Sequence, residues 1–323
     1  MARRRRLEET LDALRAVRGA PRAAASLETL RAVLQAEGSH AVARAAAIVG
    51  EHQIEELAAD LVAAFPRFFE KPERSDPGCG AKTAIVQALR RLDRCELAIF
   101  RRGAGHVQME PVFGGRVDTA VDLRGASALA LAEQGGSDVL VDLAHLLADP
   151  EPPVRISAAR ALAAHGRDGG IPLLHLKALA GDSEPRVVSE CLLSLVRLEP
   201  GGQLGFVASF LAKDDARAEA AALALGDSRR VEALPILRDW LDAAARRGLG
   251  RAALLAIAAL RRDEAVAFLL QVVRDEPPAL ARQALVALAS VGSHASLVEQ
   301  ARRAAQGRPE LLAALERAFG SDA

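Results

Sequence analysis

Two segments 33 residues apart, DPEPPVRISAARAL from Asp149 and DSEPRVVSECLLSL from Asp182, are written in one frame. Counting from Asp149, Pro152 stands at +3, Val154 at +5, Arg155 at +6, Leu162 at +13 and Gly166 at +17. From Asp182 the same offsets give Pro185, Val187, Val188 and Leu195; from Asp275 they give Pro278, Leu280, Ala281, Leu288 and Gly292. Carried backward, Asp118 leads to Leu123, Arg124, Leu131 and Gly135, and Asp76 leads to Ala81, Lys82 and Leu89. Between Asp182 and Asp275 the pattern weakens, yet that gap of 93 residues is close to three periods, and Asp214 with Leu225, then Arg251 to Leu260, supply helical segments within it. A fixed period of this length is the mark of a repeated supersecondary unit.

The offsets have a physical sense. An aspartate ahead of a helix accepts hydrogen bonds from main-chain N–H groups that lack an intrahelical partner, and proline in the first turn gives up only a donor that was unpaired anyway. Positions +5, +9, +12 and +13 then fall on one stripe, as Val154, Ala158, Ala161 and Leu162 do, and Gly166 closes the helix. A preceding helix is read from IPLLHLKALAG, where Ile171, Leu174, Ala178 and Leu179 recur at helical spacing. Each unit is thus expected to be a helical hairpin that buries its faces only by stacking on its neighbours.

This pattern resembles the HEAT repeats, especially the short bacterial form also seen in phycobilin-lyase-like proteins. The resemblance covers most of residues 27–319 and rests most firmly on Asp118 to Leu195. It implies an all-α fold, a right-handed α-α superhelix of stacked two-helix repeats, forming one helical-repeat domain over 1–323. Residues 1–26 would form a capping helix with a basic tail. Asp118 with Arg124 and Asp149 with Arg155 match the family's aspartate and arginine six residues apart, a structural ladder between adjacent units. Val188 and Ala281 replace the ladder arginine, so the ladder is expected to be discontinuous.

Composition narrows the function classes. The 42 basic residues equal the 42 acidic ones, so no global field steers the chain toward nucleic acid or an anionic membrane. Local basic candidates are Arg3 to Arg6 and the segment Lys82 to Arg102. Nine Phe, one Trp and no Tyr leave the interior to Ala, Leu and Val, which suits closely packed helices. Cys79, Cys95 and Cys191 are odd in number and contain no C-x-x-C spacing, against a disulfide framework or a structural zinc and in favour of a reducing cytoplasm. Acidic Glu8, Glu9 and Asp12 break the start of a signal peptide, and the longest apolar run, Ala252 to Leu260, is too short for a membrane span.

The interval from Asp76 to Asp118 is 42 residues, longer than its neighbours, and the surplus is GAGHVQMEPVFGG, Gly103 to Gly115. It is expected to be a glycine-rich loop inserted between repeats. Loops on a rigid array often carry recognition residues, so His106, Met109, Glu110, Phe113 and Arg116 are the candidate binding residues. Phe113 is expected to tuck under the helices, the alternative being an apolar anchor held out to a partner. Arg124, although close by, belongs to the register and is expected in a structural ion pair.

Sharper chemistry finds less support. Lys82 and Thr83 resemble the end of a phosphate loop, but Ala81 and Asp76 stand where its glycines belong, and FPRFFEKPERS is no convincing strand. Deoxyhypusine hydroxylase, which resembles this architecture, uses His-Glu dipeptides to hold iron, and this chain has only the reversed Glu51-His52. Helical-repeat DNA glycosylases need a cationic face and aromatics, and Trp240 is the sole Trp. Cys191 among Leu192, Leu193 and Leu195 is expected to be a small core residue.

The expectation is a cytoplasmic, non-enzymatic scaffold binding another protein along a concave face, with no catalytic residues, metal or cofactor. The rivals are a nucleic-acid binder using Lys82 to Arg102 and the Arg3 to Arg6 tail, and a helical-repeat lyase-type enzyme with His106 and Glu110 as its reactive pair.

Overall fold

A computed structural model describes residues 2–35, 38–213 and 215–320, with side chains from Leu7 onward apart from Arg167 and Asp215. The side chains of Arg3 to Arg6, and Asp214, lie outside the described residues. The described chain is helical, from Ala2–Val17 to Pro309–Phe319, with one two-stranded sheet. It divides into two compact units, residues 1–170 and 171–323.

The aspartate frame sets where helices begin. Helices Val121–Gln134, Pro152–His165, Pro185–Leu198 and Pro278–Val291 each start three residues after Asp118, Asp149, Asp182 and Asp275. The carboxylates do the predicted work in the first three: Asp118 Oδ1 accepts from Ala120 N at 2.9 Å, and Asp149 and Asp182 accept from Glu151 N and Glu184 N at 2.8 Å. Asp76 goes further and caps helix Gly80–Arg91 with both oxygens, taking Ala81 N at 2.9 Å and Lys82 N at 3.0 Å. Asp275 instead faces Arg274 at 3.0 Å. Gly135, Gly166 and Gly292 follow the last residues of their helices, as the +17 position requires.

In the first unit, helices Ser39–Glu51, Gly80–Arg91, Val121–Gln134 and Pro152–His165 pack each on the next in this order, skipping the helices between. Small residues permit the approach: a Cβ on Gly50 would lie 2.9 Å from Ala88 Cα. In the second unit Pro185–Leu198, Asp215–Asp227, Gly250–Ala259, Pro278–Val291 and Pro309–Phe319 pack in the same alternate fashion. Val154, Ala158, Ala161 and Leu162 are fully buried, as the stripe requires. In the helix before Asp182, Leu174 and Ala178 are buried but Leu179 is exposed, so the apolar stripe is narrower than the sequence suggests. Cys191 is buried, its thiol pushed up to about 12 by that burial, and is a core residue.

Arg124 joins successive repeats. Its Nη1 meets Asp118 Oδ2 at 2.7 Å, while Nε and Nη2 take Asp149 Oδ2 and Oδ1 at 2.8 and 3.1 Å, a bidentate pair. Burial would lower the Arg124 pKa, but hydrogen bonds to Asp149 and Asp118 raise it overall. Arg155 donates Nη1 to the main-chain oxygens of Asp149 at 2.7 Å and Pro150 at 2.8 Å. At the next unit, where +6 is Val188, Asp182 is held by Lys177 at 2.8 Å.

Substituting Arg124→Ala leaves two largely buried carboxylates without their shared cation, so it should cost about 3–5 kcal/mol in chemical denaturation of the full chain, whereas Arg15→Ala, at an exposed pair with Asp12, should cost about 0–1 kcal/mol.

Candidate functional site

The surplus segment is not simply a loop. Helix Leu97–Ala104 runs two residues into it, and β1 (Met109–Val112) pairs antiparallel with β2 (Gly115–Asp118). Gly103 belongs to the helix, where any Cβ would collide with Ser127 Oγ. Register Val112↔Gly115 leaves Phe113 and Gly114 as a two-residue turn, with Gly114 at φ +89°.

Gln108 anchors this hairpin to the preceding repeat. Its Oε1 lies 3.0 Å from Lys82 Nζ, 3.2 Å from Cys79 Sγ and 3.1 Å from His106 Nε2. Because an amide oxygen only accepts, His106 carries its proton on Nε2. Gln108 Nε2 donates to Glu110 Oε1 at 2.6 Å and Asp76 O at 3.0 Å. Donors on one side and acceptors on the other fix the amide's orientation. Lys82 is fully buried; its ammonium is surrounded by Gln108 Oε1, Phe68 O at 3.2 Å and Asp76 Oδ2 at 3.3 Å. Three N–H groups thus have three acceptors, and no phosphate can reach the amine.

Glu110 makes the second anchor, its Oε1 accepting from Gly78 N at 2.7 Å and Thr119 Oγ1 at 2.9 Å besides Gln108. Burial would raise its pKa, but the Gly78, Gln108 and Thr119 bonds outweigh it and hold the carboxylate below its ordinary value. Asp118 follows the same pattern: burial raises it, while Ala120 N, Gln108 N and Arg124 bring it below the usual range. His106 is lowered mainly by burial, and its ring meets Phe69 edge-on with centroids 4.8 Å apart. Burial pushes the Cys79 thiol up to about 11, so it stays protonated and serves as a donor.

Much of what faces solvent is apolar. Phe113 at the turn is 109% exposed, and Val107, Met109, Val112 and Val117 are also exposed. Phe113 therefore does not tuck under the helices: Gly114 turns the chain before it can fold back, and β1 and β2 hold the turn out. Arg116 is half exposed and bonds Glu73 Oε1 at 2.9 Å and the Met109 main-chain oxygen. Of the candidate binding residues, His106 and Glu110 thus face the inner hub, Met109 and Phe113 face outward, and Arg116 clips the strands together. Among the described residues, no group of three or more His, Cys, Asp and Glu gathers as a metal would need.

Gln108 and Thr119 carry no motif and are not expected from the register. Their signal is the alternation Val107-Gln108-Met109-Glu110 ahead of Phe-Gly-Gly, a strand period followed by a turn. The basic segment is largely committed: Lys82 is buried, Arg90 pairs with Glu133 at 2.6 Å, Arg101 pairs with Asp142 at 2.9 Å and with Asp138, and Arg102 lies 4.0 Å over the Phe69 ring.

No protein-family model matches the chain, and no curated protein matches its sequence. Among solved structures it is similar to human deoxyhypusine hydroxylase in complex with glycerol, at 18% identity over 84% of this chain and 96% of that chain, with a TM-score of 0.29. A likeness that distant transfers no active site.

Since Glu110 is held below its ordinary 4.5, the stability it contributes is present above that pH and lost as pH falls from there through the lowered folded-state value. Thermal melts should show wild type losing stability in this acid window. Glu110→Gln should start less stable near neutral pH and show a shallower acid slope.

Proposed function

We propose that this chain is a HEAT-like helical-repeat scaffold that binds another protein, with the hairpin Met109–Asp118 as its recognition element. The observation that carries the reading is Phe113, wholly exposed at the end of a hairpin whose inner side is locked by Gln108 and Glu110. An exposed aromatic on a mobile loop would lose affinity to ordering; one on an anchored ribbon is already organised for docking. Exposed apolar side chains flank it on both faces of the ribbon, Val107 and Met109 on one and Val112 and Val117 on the other, so a partner that clasps the hairpin would bury apolar surface on either side.

The two-helix register supports the repeat reading, and the alternate packing of helices within each unit is what stacked hairpins of a solenoid would make. Three free cysteines accord with a cytoplasmic setting. Among the described residues no helix is long and apolar enough to cross a membrane. Against nucleic acid stands the neutralisation of Lys82, Arg90 and Arg101 by their own carboxylates. Against a lyase-type reaction at His106 and Glu110 stands their engagement with Gln108.

A photoreactive residue replacing Phe113 in the full chain should crosslink a discrete protein in lysate of the producing cell, and the same probe at exposed Arg186 should not. Met109→Asp combined with Val117→Asp should abolish that crosslink, and raising salt should change it little. Phe113→Ser should melt within about 0.5 kcal/mol of wild type, as surface substitutions do. Equal labelling from positions 113 and 186, or steep loss with salt, would sink the reading.

A further inference from the structure

The buried hub contains more than an anchor needs. The register places arginine at +6 in the two repeats that follow, Arg124 and Arg155, yet here it places Lys82, one of only four lysines among 42 basic residues. A guanidinium would satisfy an ion pair with a carboxylate and carbonyls better than an ammonium does. What lysine offers instead is a nucleophilic nitrogen. That nitrogen sits 3.0 Å from the oxygen of a side-chain amide, inside a pocket where Lys82 and Gln108 are almost wholly shielded from water.

The groups around the amide match what acyl transfer requires. Cys79 Sγ at 3.2 Å and His106 Nε2 at 3.1 Å point hydrogens at Oε1, where negative charge would develop. Glu110 Oε1 lies 2.6 Å from Nε2, the nitrogen that would leave. Asp76 Oδ2 lies 3.3 Å from Lys82 Nζ and can take its proton. Fixed neighbours of this kind replace the concentration and reorientation that a bimolecular reaction would need.

We propose that Lys82 and Gln108 are a self-crosslinking pair, the amine attacking the Gln108 amide carbon to leave an isopeptide bond between helix Gly80–Arg91 and the hairpin. Asp76 removes one proton from Nζ, the Nζ–Cδ bond forms, and the adduct's oxyanion rests on Cys79 and His106. The Cδ–Nε2 bond then breaks. Nζ gives up two protons in all, both end on Nε2, and the nitrogen departs beside Glu110 as ammonium. An ammonium group and a primary amide become a secondary amide and ammonium ion, with no oxidant, cofactor or net water. The product fixes the hairpin covalently, independently of what the hairpin binds.

Intact-mass spectrometry of the purified, denatured full chain tests this directly. The expected result is a mass one ammonia below that of the sequence, and a tryptic branched peptide joining residues 75–90 to 103–116. The chain contains no asparagine, so succinimide formation at that residue cannot supply the loss. Lys82→Arg and Gln108→Met should each restore the full mass expected for the variant. Wild-type protein at full mass after prolonged incubation would overturn the proposal, and so would a deficit that survives Lys82→Arg. A deficit reversed by hydroxylamine and lost in Cys79→Ser would also overturn it, assigning a thioester to Cys79 instead. The wild-type mass decides alone, so a variant that fails to fold leaves the test intact.

Discussion

A carboxylate at the entrance of the helices that begin at Gly80, Val121 and Pro152 is the constraint on which the rest of the first unit depends. Asp118 shows the full set: one oxygen accepts from Ala120 N and Gln108 N, the other pairs with Arg124, which reaches on to Asp149. Burying such charges is costly unless every lone pair and proton is met. Here they are met by a helix start, a strand start and the neighbouring repeat together, so local capping and long-range stacking become one interaction.

The same position yields different outcomes as its +6 partner changes. With arginine the charge bridges repeats; with Val188 the aspartate turns to Lys177; with Ala281, Asp275 stays at the surface facing Arg274. With Lys82 the pair is fully buried, and its shorter, compact cation leaves room for an amide to close over it. That amide belongs to Gln108, and through it a capping carboxylate in one repeat governs the placement of a hairpin emerging from the next. At its base the hairpin is polar and committed through Gln108 and Glu110, while toward its turn it presents exposed apolar side chains, with Arg116 tied to Glu73 beside them.

Particular residues show how far the sequence could be read. The helix starts at Pro152, Pro185 and Pro278 follow from the offsets because proline and aspartate act through the nearest few residues. The Asp118–Arg124 contact was legible for the same reason: six residues along a helix entrance bring the two side chains together. Phe113 was not legible, since whether a loop phenylalanine packs inward depends on a surface that the strand pairing alone defines. Nor was Gln108, whose neighbours Cys79 and Lys82 precede it by 29 and 26 residues. The phosphate-loop resemblance at Lys82 and Thr83 dissolves because Asp76 occupies the amine.

The sequence by itself determined the helical period, the capping residues and the Ala- and Leu-rich stripes, because these are set by forces acting within a turn or two of the chain. Only the tertiary structure decided that the surplus residues pair as strands, that His106 and Glu110 turn inward onto one glutamine, and that Phe113 is left in solvent. Those outcomes depend on hydrogen bonds between segments that only the fold brings within reach.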